Sequence, residues 1–453
     1  SVLPSRLVTR QVMLSQPQKF AIRNSNPVLF QSSLSRSYTN STSPSPSPQD
    51  VSSSSSYLNK FAKATAKRLP AVIIGKLVVA GVIGLISVDL LYAGYRNRRN
   101  ERLLNKTVEK GTRPKIDVSD DEFVPRPLVV DRLKKILQPN RNQSYYHVVC
   151  GEHGTGKTTL TRRASREVGQ GVIYVEIPAD AEDIEDFGIA FGESLNFAFE
   201  ERISFTAQLM KKILGDTNGK DERPKWKRAL EAFKRASAVY KEKHNKPSVI
   251  VYDNIAKLVN VNPKVLDTLQ DDAKMNADHR EYVAVFVSSE GSVPRRMESR
   301  SAWSRAKKPV IEIGDLSKEE SMKYLTEKRK INEVDAKNIY ELVGGRIVDL
   351  KTVADDFLAK QPFEVIKQSI LDEVEKKFGT ARLLPNDPYY EVGKSIFSDL
   401  KESNELSFLE FKKYFDNINE LNEVLGSNIF AYHPAKNTVT FQSQSIKCYI
   451  LEK

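Results

Sequence analysis

The stretch Gly151-Glu152-His153-Gly154-Thr155-Gly156-Lys157-Thr158 fits the pattern G-x-x-x-x-G-K-[ST], and few eight-residue runs constrain a fold as tightly. The pattern carries its mechanism only between a strand and a helix. Both are expected here. Residues 145–150 (YYHVVC) are an apolar, β-branched run that reads as a buried strand, and 159–168 reads as a helix. Such a junction aims successive backbone N–H groups and a helix N-terminus at one point, which suits a triphosphate. The expected ATP contacts are therefore Gly151 to Thr158 and the adjacent Thr159, with Lys157 reaching the β- and γ-phosphates and Thr158 ligating Mg2+ through its hydroxyl.

A second element supports the first. Residues 248–252 (SVIVY) form another buried strand that closes on Asp253, where a carboxylate can hold Mg2+, usually through water. Asn254 follows, in a place where many ATPases carry a catalytic Glu. An amide can position a water but cannot take its proton, so slow hydrolysis is expected. Asp271 and Asp272 are the alternative bases downstream.

The chain holds 70 Lys and Arg against 58 Asp and Glu, a net +12, but this excess is local. Residues 1–110 contain 16 basic and 4 acidic side chains, which leaves 54 of each for 111–453. The formally neutral remainder argues against nucleic-acid binding as a bulk electrostatic function. Residues 1–50 carry five basic side chains, many Ser and Gln, and no acid before Asp50, the composition of a mitochondrial presequence. A low-complexity linker over 51–68 leads to 69–95, an apolar run long enough for a single membrane pass despite Lys76 and Asp89. Basic residues flank the run on both sides, so charge does not orient it. Two distant cysteines make no disulfide framework, and the five histidines form no H-E-x-x-H pair, which excludes a fused zinc protease.

Further strands are expected at 171–177, 281–287 and 309–313, with helices between them, including a long charged one over 226–244. Alternating strands and helices imply an α/β fold, a parallel sheet covered on both faces. The box Phe123-Val124-Pro125-Arg126, the polar Ser288-Ser289 after the fourth strand, and Ala302-Trp303-Ser304-Arg305 before the fifth resemble the AAA+-related P-loop ATPases of the archaeal-ATPase and STAND type. That resemblance implies adenine-side roles for Val124 and Arg126 and a γ-phosphate sensor at Ser289. It also implies an arginine finger for a neighbouring subunit at Arg305, with Arg300 second, and hence a homo-oligomer. Ser317 and Glu320 form a capping box that opens a helical lid. The turn Gly344-Gly345-Arg346 places Arg346 over a nucleotide. This turn, with the helix after Pro362, looks most like the ATPase domain of the fungal mitochondrial escape protein family, which implies a mitochondrial inner-membrane protein linked to mitochondrial DNA maintenance. That family carries an RNA-recognition domain before its membrane helix, where this sequence has presequence and linker.

The resulting domain order is 111–314 P-loop ATPase, 315–384 lid and 385–453 a winged-helix-like domain, read from helices at 390–402, 407–415 and 418–425 and a hairpin of 429–432 with 438–441. Lys412 and Lys413 stand among acids, so a protein partner is favoured over DNA for this last domain. The leading expectation is a membrane-anchored mitochondrial ATP-binding protein, a nucleotide switch or weak ATPase. The alternatives are a non-enzymatic scaffold with structural ATP and an inner-membrane-tethered factor for nucleic-acid maintenance.

Overall fold

A computed structural model describes residues 71–119, 122–178, 183–199, 206 and 223–452. The expected presequence and linker, and the first residues of the apolar run, lie outside the described residues. Five strands form one sheet: β1 (His147–Cys150), β2 (Val172–Glu176), β3 (Ser248–Asp253), β4 (Tyr282–Val287) and β5 (Ile311–Glu312). Their order is β2-β3-β4-β1-β5, and every pairing is parallel. All five expected strands are present, the fifth shorter than the run 309–313.

Successive residues of a strand face opposite sides, so a sheet covered by helices on both faces needs apolar side chains at nearly every position. The two cores divide in that way. Ile250, Tyr252, Ala284 and Phe286 pack on one side with the helices Ile184–Ser194, Lys225–His244 and Pro263–His279. Val249, Val251, Val283 and Val285 pack on the other with Leu133 and Leu160 from the helices Pro127–Leu137 and Lys157–Val168.

The apolar run continues as one helix, Ala71–Lys110, fifteen residues past its expected end. From Leu77 to Tyr95 its large apolar side chains are exposed apart from half-buried Ile86, and with an 18-residue stretch of mean hydropathy 2.1 the helix is long and apolar enough to cross a membrane. Beyond Tyr95 the same helix turns a face inward. Asn100, Leu104 and Val108 recur every four residues and are buried; Asn100 accepts from the Ala198 N–H at 2.9 Å and donates to its carbonyl at 2.7 Å. Asp89, the charge inside the apolar run, accepts from the Thr206 hydroxyl and, at 3.0 Å, its N–H.

The capping box of Ser317 and Glu320 is formed, with the Glu320 N–H donating to Ser317 Oγ at 3.1 Å. It opens a helical unit around Tyr324, Leu325, Ile339, Val343, Leu350 and Val353. A further core follows, built from Phe378, Ile396, Phe411, Val424, Phe430 and Val439. It surrounds the antiparallel sheet of β6 (Leu406–Ser407), β7 (Phe430–His433) and β8 (Thr438–Phe441), in the order β6-β8-β7. The expected helix over 407–415 is shorter, Phe408–Lys412.

Because Leu104 is fully buried while Leu103 beside it is 40% exposed, their alanine variants should differ. Leu104→Ala should lower unfolding stability by about 2–5 kcal/mol and Leu103→Ala by less than about 0.5 kcal/mol, measured by denaturant titration in detergent.

Candidate functional site

In a parallel sheet all strands end at one edge, so the loops after β1, β3 and β4 converge. The loop after β1 is the glycine-rich one. Gly151 has φ +145° and a Cβ there would lie 2.2 Å from the Ile313 carbonyl oxygen; Gly154 has φ +79° and would crowd the Arg346 side chain at 3.2 Å. Backbone blocks a side chain at Gly151 and positive φ strains one at Gly154, so the loop lies close against the end of β5 and the lid. The helix that follows begins at Lys157. Lys157 is 3% exposed, and its ammonium is folded back on the loop, donating to the Glu152 carbonyl and, at 3.2 Å, to Thr155 Oγ1. Burial lowers its pKa from the ordinary lysine value to about 8, with the Glu152 charge opposing. Burial likewise raises the Glu152 carboxyl, against the pull of Arg346 and Lys157.

Asp253 ends β3 at 2% exposure. One carboxylate oxygen accepts from the Asn254 N–H at 2.8 Å and the other from the Tyr174 hydroxyl. Asn254 adopts φ +62°, and its side-chain amide donates to the Ile177 carbonyl at 3.2 Å, which ties it to the end of β2. Ser288 is buried and donates to the Glu290 carbonyl at 3.1 Å, whereas Ser289 is half-buried.

The expected adenine-side residues border a cavity of about 450 Å³, lined by Phe123, Val124, Thr155, Thr159, Tyr324 and Ile347 among others. That volume is within the range of small-molecule sites. Arg126 also borders it, but its guanidinium is bound to the Gly314 carbonyl at 2.8 Å, at the hinge between sheet and lid.

Arg346 is 5% exposed and lies against the glycine-rich loop. Its guanidinium donates to Asp315 at 3.1 Å and to the carbonyl of Gln442 at 2.7 Å, and the Val348 N–H faces the Gly154 carbonyl at 3.4 Å. One arginine therefore touches loop, lid hinge and C-terminal unit. His433, at the end of β7, adds a second bond by pairing with Glu312 of β5.

The other arginines are placed elsewhere. Arg305 forms an ion pair with Asp278, and its carbonyl accepts from the Tyr146 N–H at the start of β1, the strand end opposite the loop. Arg300 pairs with Asp271 at 2.6 Å. Asp272 accepts from Lys234 and from Tyr282, which opens β4. Both aspartates are thus bound in ion pairs remote from Asp253, so neither alternative base belongs to this site. Sequence reasoning passed over Tyr174, Gln442 and His433. A tyrosine inside an apolar strand and residues nearly a hundred positions from Arg346 give no local signal.

These residues fit ATP and Mg2+. The loop packs closely at Gly151 and Gly154, the lysine is buried with its charge unmatched by a bonded carboxylate, and the cavity adjoins the loop at Thr155 and Gly156. Among the described residues no group of three His, Cys, Asp or Glu could hold a metal alone. One carboxylate and one hydroxyl suit Mg2+, which completes its shell with phosphate and water.

The family described as an ATPase domain predominantly from Archaea matches residues 123–353, more than half of the chain. No curated protein matches by sequence. Among solved structures, the Walker-type ATPase of Pyrococcus abyssi is 13% identical, with 75% of this chain and 99% of that one covered and a TM-score of 0.47. Cdc6p from Pyrobaculum aerophilum is 15% identical, covering 75% and 98% at a TM-score of 0.37. The Aeropyrum pernix ORC1 protein in complex with DNA is 13% identical, covering 74% and 95% at 0.37.

The buried ammonium gives a pH dependence with a definite sign. A triphosphate needs Lys157 protonated, and in the free protein the proton leaves as pH rises through about 8. ATP affinity should be flat from pH 6.5 to 7.5 and then fall up to about tenfold per pH unit, measured by calorimetry at constant free Mg2+.

Proposed function

The chain belongs to the family of ATPase domains found predominantly in Archaea, and from that premise we propose a membrane-anchored, ATP-binding nucleotide switch with weak hydrolysis. The observation that carries the switch is the three-way contact of Arg346. It lies against the loop that would hold the phosphates and is bonded to both the lid hinge and Gln442. A ligand shifts a conformational equilibrium only through contacts that differ between states. A γ-phosphate competing for this guanidinium would supply such a difference, because gaining it draws Arg346 away from the Gln442 carbonyl.

Gly151 to Thr159 would cradle the phosphates, Val124 would face the base, and Thr158 and Asp253 would hold Mg2+, which supplies charge neutralisation on the phosphate oxygens. Ser289 would sense the γ-phosphate. Asn254 would orient water without taking its proton. Arg305, distant from its own loop, would act only on a neighbouring subunit, so turnover would require a homo-oligomer.

The exposed apolar helix from Leu77 to Tyr95 supports a single membrane pass. Arg98, Arg99 and Arg102, all exposed, follow it directly and suit the headgroup layer. The Arg- and Ser-rich, acid-free residues 1–49 support mitochondrial import, and the resemblance to the fungal mitochondrial escape protein family supports the inner membrane. The C-terminal helices and three-stranded sheet read as a winged helix, with Lys412 and Lys413 set among acids, which favours a protein partner there.

Two experiments test the reading. Lys157→Ala should weaken ATP binding about 10- to 100-fold by removing charge-assisted bonds, measured by calorimetry; unchanged affinity would remove the site. Phosphate release by the full chain should be slow, should rise with protein concentration, and should increase in Asn254→Glu. Fast, concentration-independent turnover would contradict the switch.

A further inference from the structure

Tyr174 is the third residue of β2, the strand beside β3, and its backbone pairs with Val251. Its side chain shares the sheet face of Val249 and Val251 and therefore of Asp253, two positions along. Two positions of a strand span about 6.6 Å, the reach of a tyrosine from Cα towards its hydroxyl. The ring is 3% exposed, and the hydroxyl donates to Oδ2 of Asp253. The other oxygen is already taken by the Asn254 N–H at 2.8 Å. Both oxygens of this carboxylate thus have a fixed donor, and each keeps acceptor capacity for a metal-bound water.

The hydroxyl also has a cationic neighbour. Arg162 lies beside it, four residues after Thr158 on the same helix face, and is anchored by Glu176 and Asp117. The chain Arg162–Tyr174–Asp253 therefore links the helix that carries Thr158 to the strand tip that carries Asp253. A packing role alone would need only the ring, because the core around it is apolar.

We propose that Tyr174 is the positioning residue for the Mg2+ carboxylate, fixing Asp253 through its buried hydroxyl while Arg162 fixes Tyr174. This rests on the reading of Asp253 as the metal carboxylate of an ATP site. Outer partners of metal ligands commonly change metal affinity by about 10- to 100-fold when removed. The hydroxyl should therefore set how much Mg2+ is needed, and should leave metal-free nucleotide binding alone.

The test uses the full chain in detergent and mant-ATP fluorescence, titrated with Mg2+ and compared with EDTA. Tyr174→Phe keeps the ring and removes the hydroxyl. It should raise the Mg2+ concentration for half-maximal tightening about tenfold, with affinity in EDTA unchanged within twofold. A Mg2+ requirement equal to wild type, or an equal loss of affinity with and without Mg2+, would overturn the inference. If Tyr174→Phe does not fold, Arg162→Gln, which leaves the buried tyrosine in place, decides by the same criterion. A wild type that binds mant-ATP equally in Mg2+ and EDTA overturns the role of Asp253 and this inference but leaves ATP binding standing. A wild type that binds no mant-ATP overturns both.

Discussion

Parallel pairing of five strands brings their carboxyl ends to one edge, and the chemistry of this chain depends on that geometry. The glycine-rich loop leaves β1, Asp253 ends β3 and Ser288 follows β4, so residues over a hundred positions apart meet without long loops. The cost of this convergence is buried charge. Lys157 is held by a carbonyl and a hydroxyl rather than a carboxylate, and burial lowers its proton affinity. A buried cation with only neutral partners is a favourable place for an anion, because the phosphate supplies the missing charge.

The lid and the C-terminal unit share this edge through Arg346. A buried guanidinium has five donors to satisfy, and here Nε and Nη2 serve an aspartate at the hinge and a carbonyl from the last part of the chain. Breaking one such bond without replacement costs about 1–3 kcal/mol, enough to move a two-state equilibrium roughly tenfold or more. In the proposed switch, giving up the Gln442 carbonyl for a phosphate oxygen would leave that carbonyl unpaired, a difference of this order between the two states. At the other end, Asn100, Leu104 and Val108 fasten the helix of the apolar run into the core, with no flexible joint between residues 77 and 110.

Much of this was legible in the sequence because it rests on local chemistry. Gly151 to Thr158 need a strand before and a helix after, and apolar periodicity supplied both. Ser317 and Glu320 announced a helix start by spacing alone. The inward turn of the long helix was hidden, since Leu104 and Val108 are diluted by eight charged side chains from Arg96 to Lys110. Tyr174 looks like any strand tyrosine until register places it beside Asp253. The Gly344-Gly345 turn foretold a place for Arg346, but its bond to Gln442 crosses 96 positions, which no spacing rule reaches. Asp271 and Asp272 had suitable chemistry and the wrong strand end.

Hydrogen–deuterium exchange of the full chain, compared with Mg2+·ATP and with Mg2+·ADP, tests the switch most directly. If the γ-phosphate draws Arg346 from Gln442, peptides covering residues 428–446 should exchange faster with ATP than with ADP, while the β3 and β4 peptides stay equally protected. Identical exchange at residues 428–446 in both nucleotides would contradict the account.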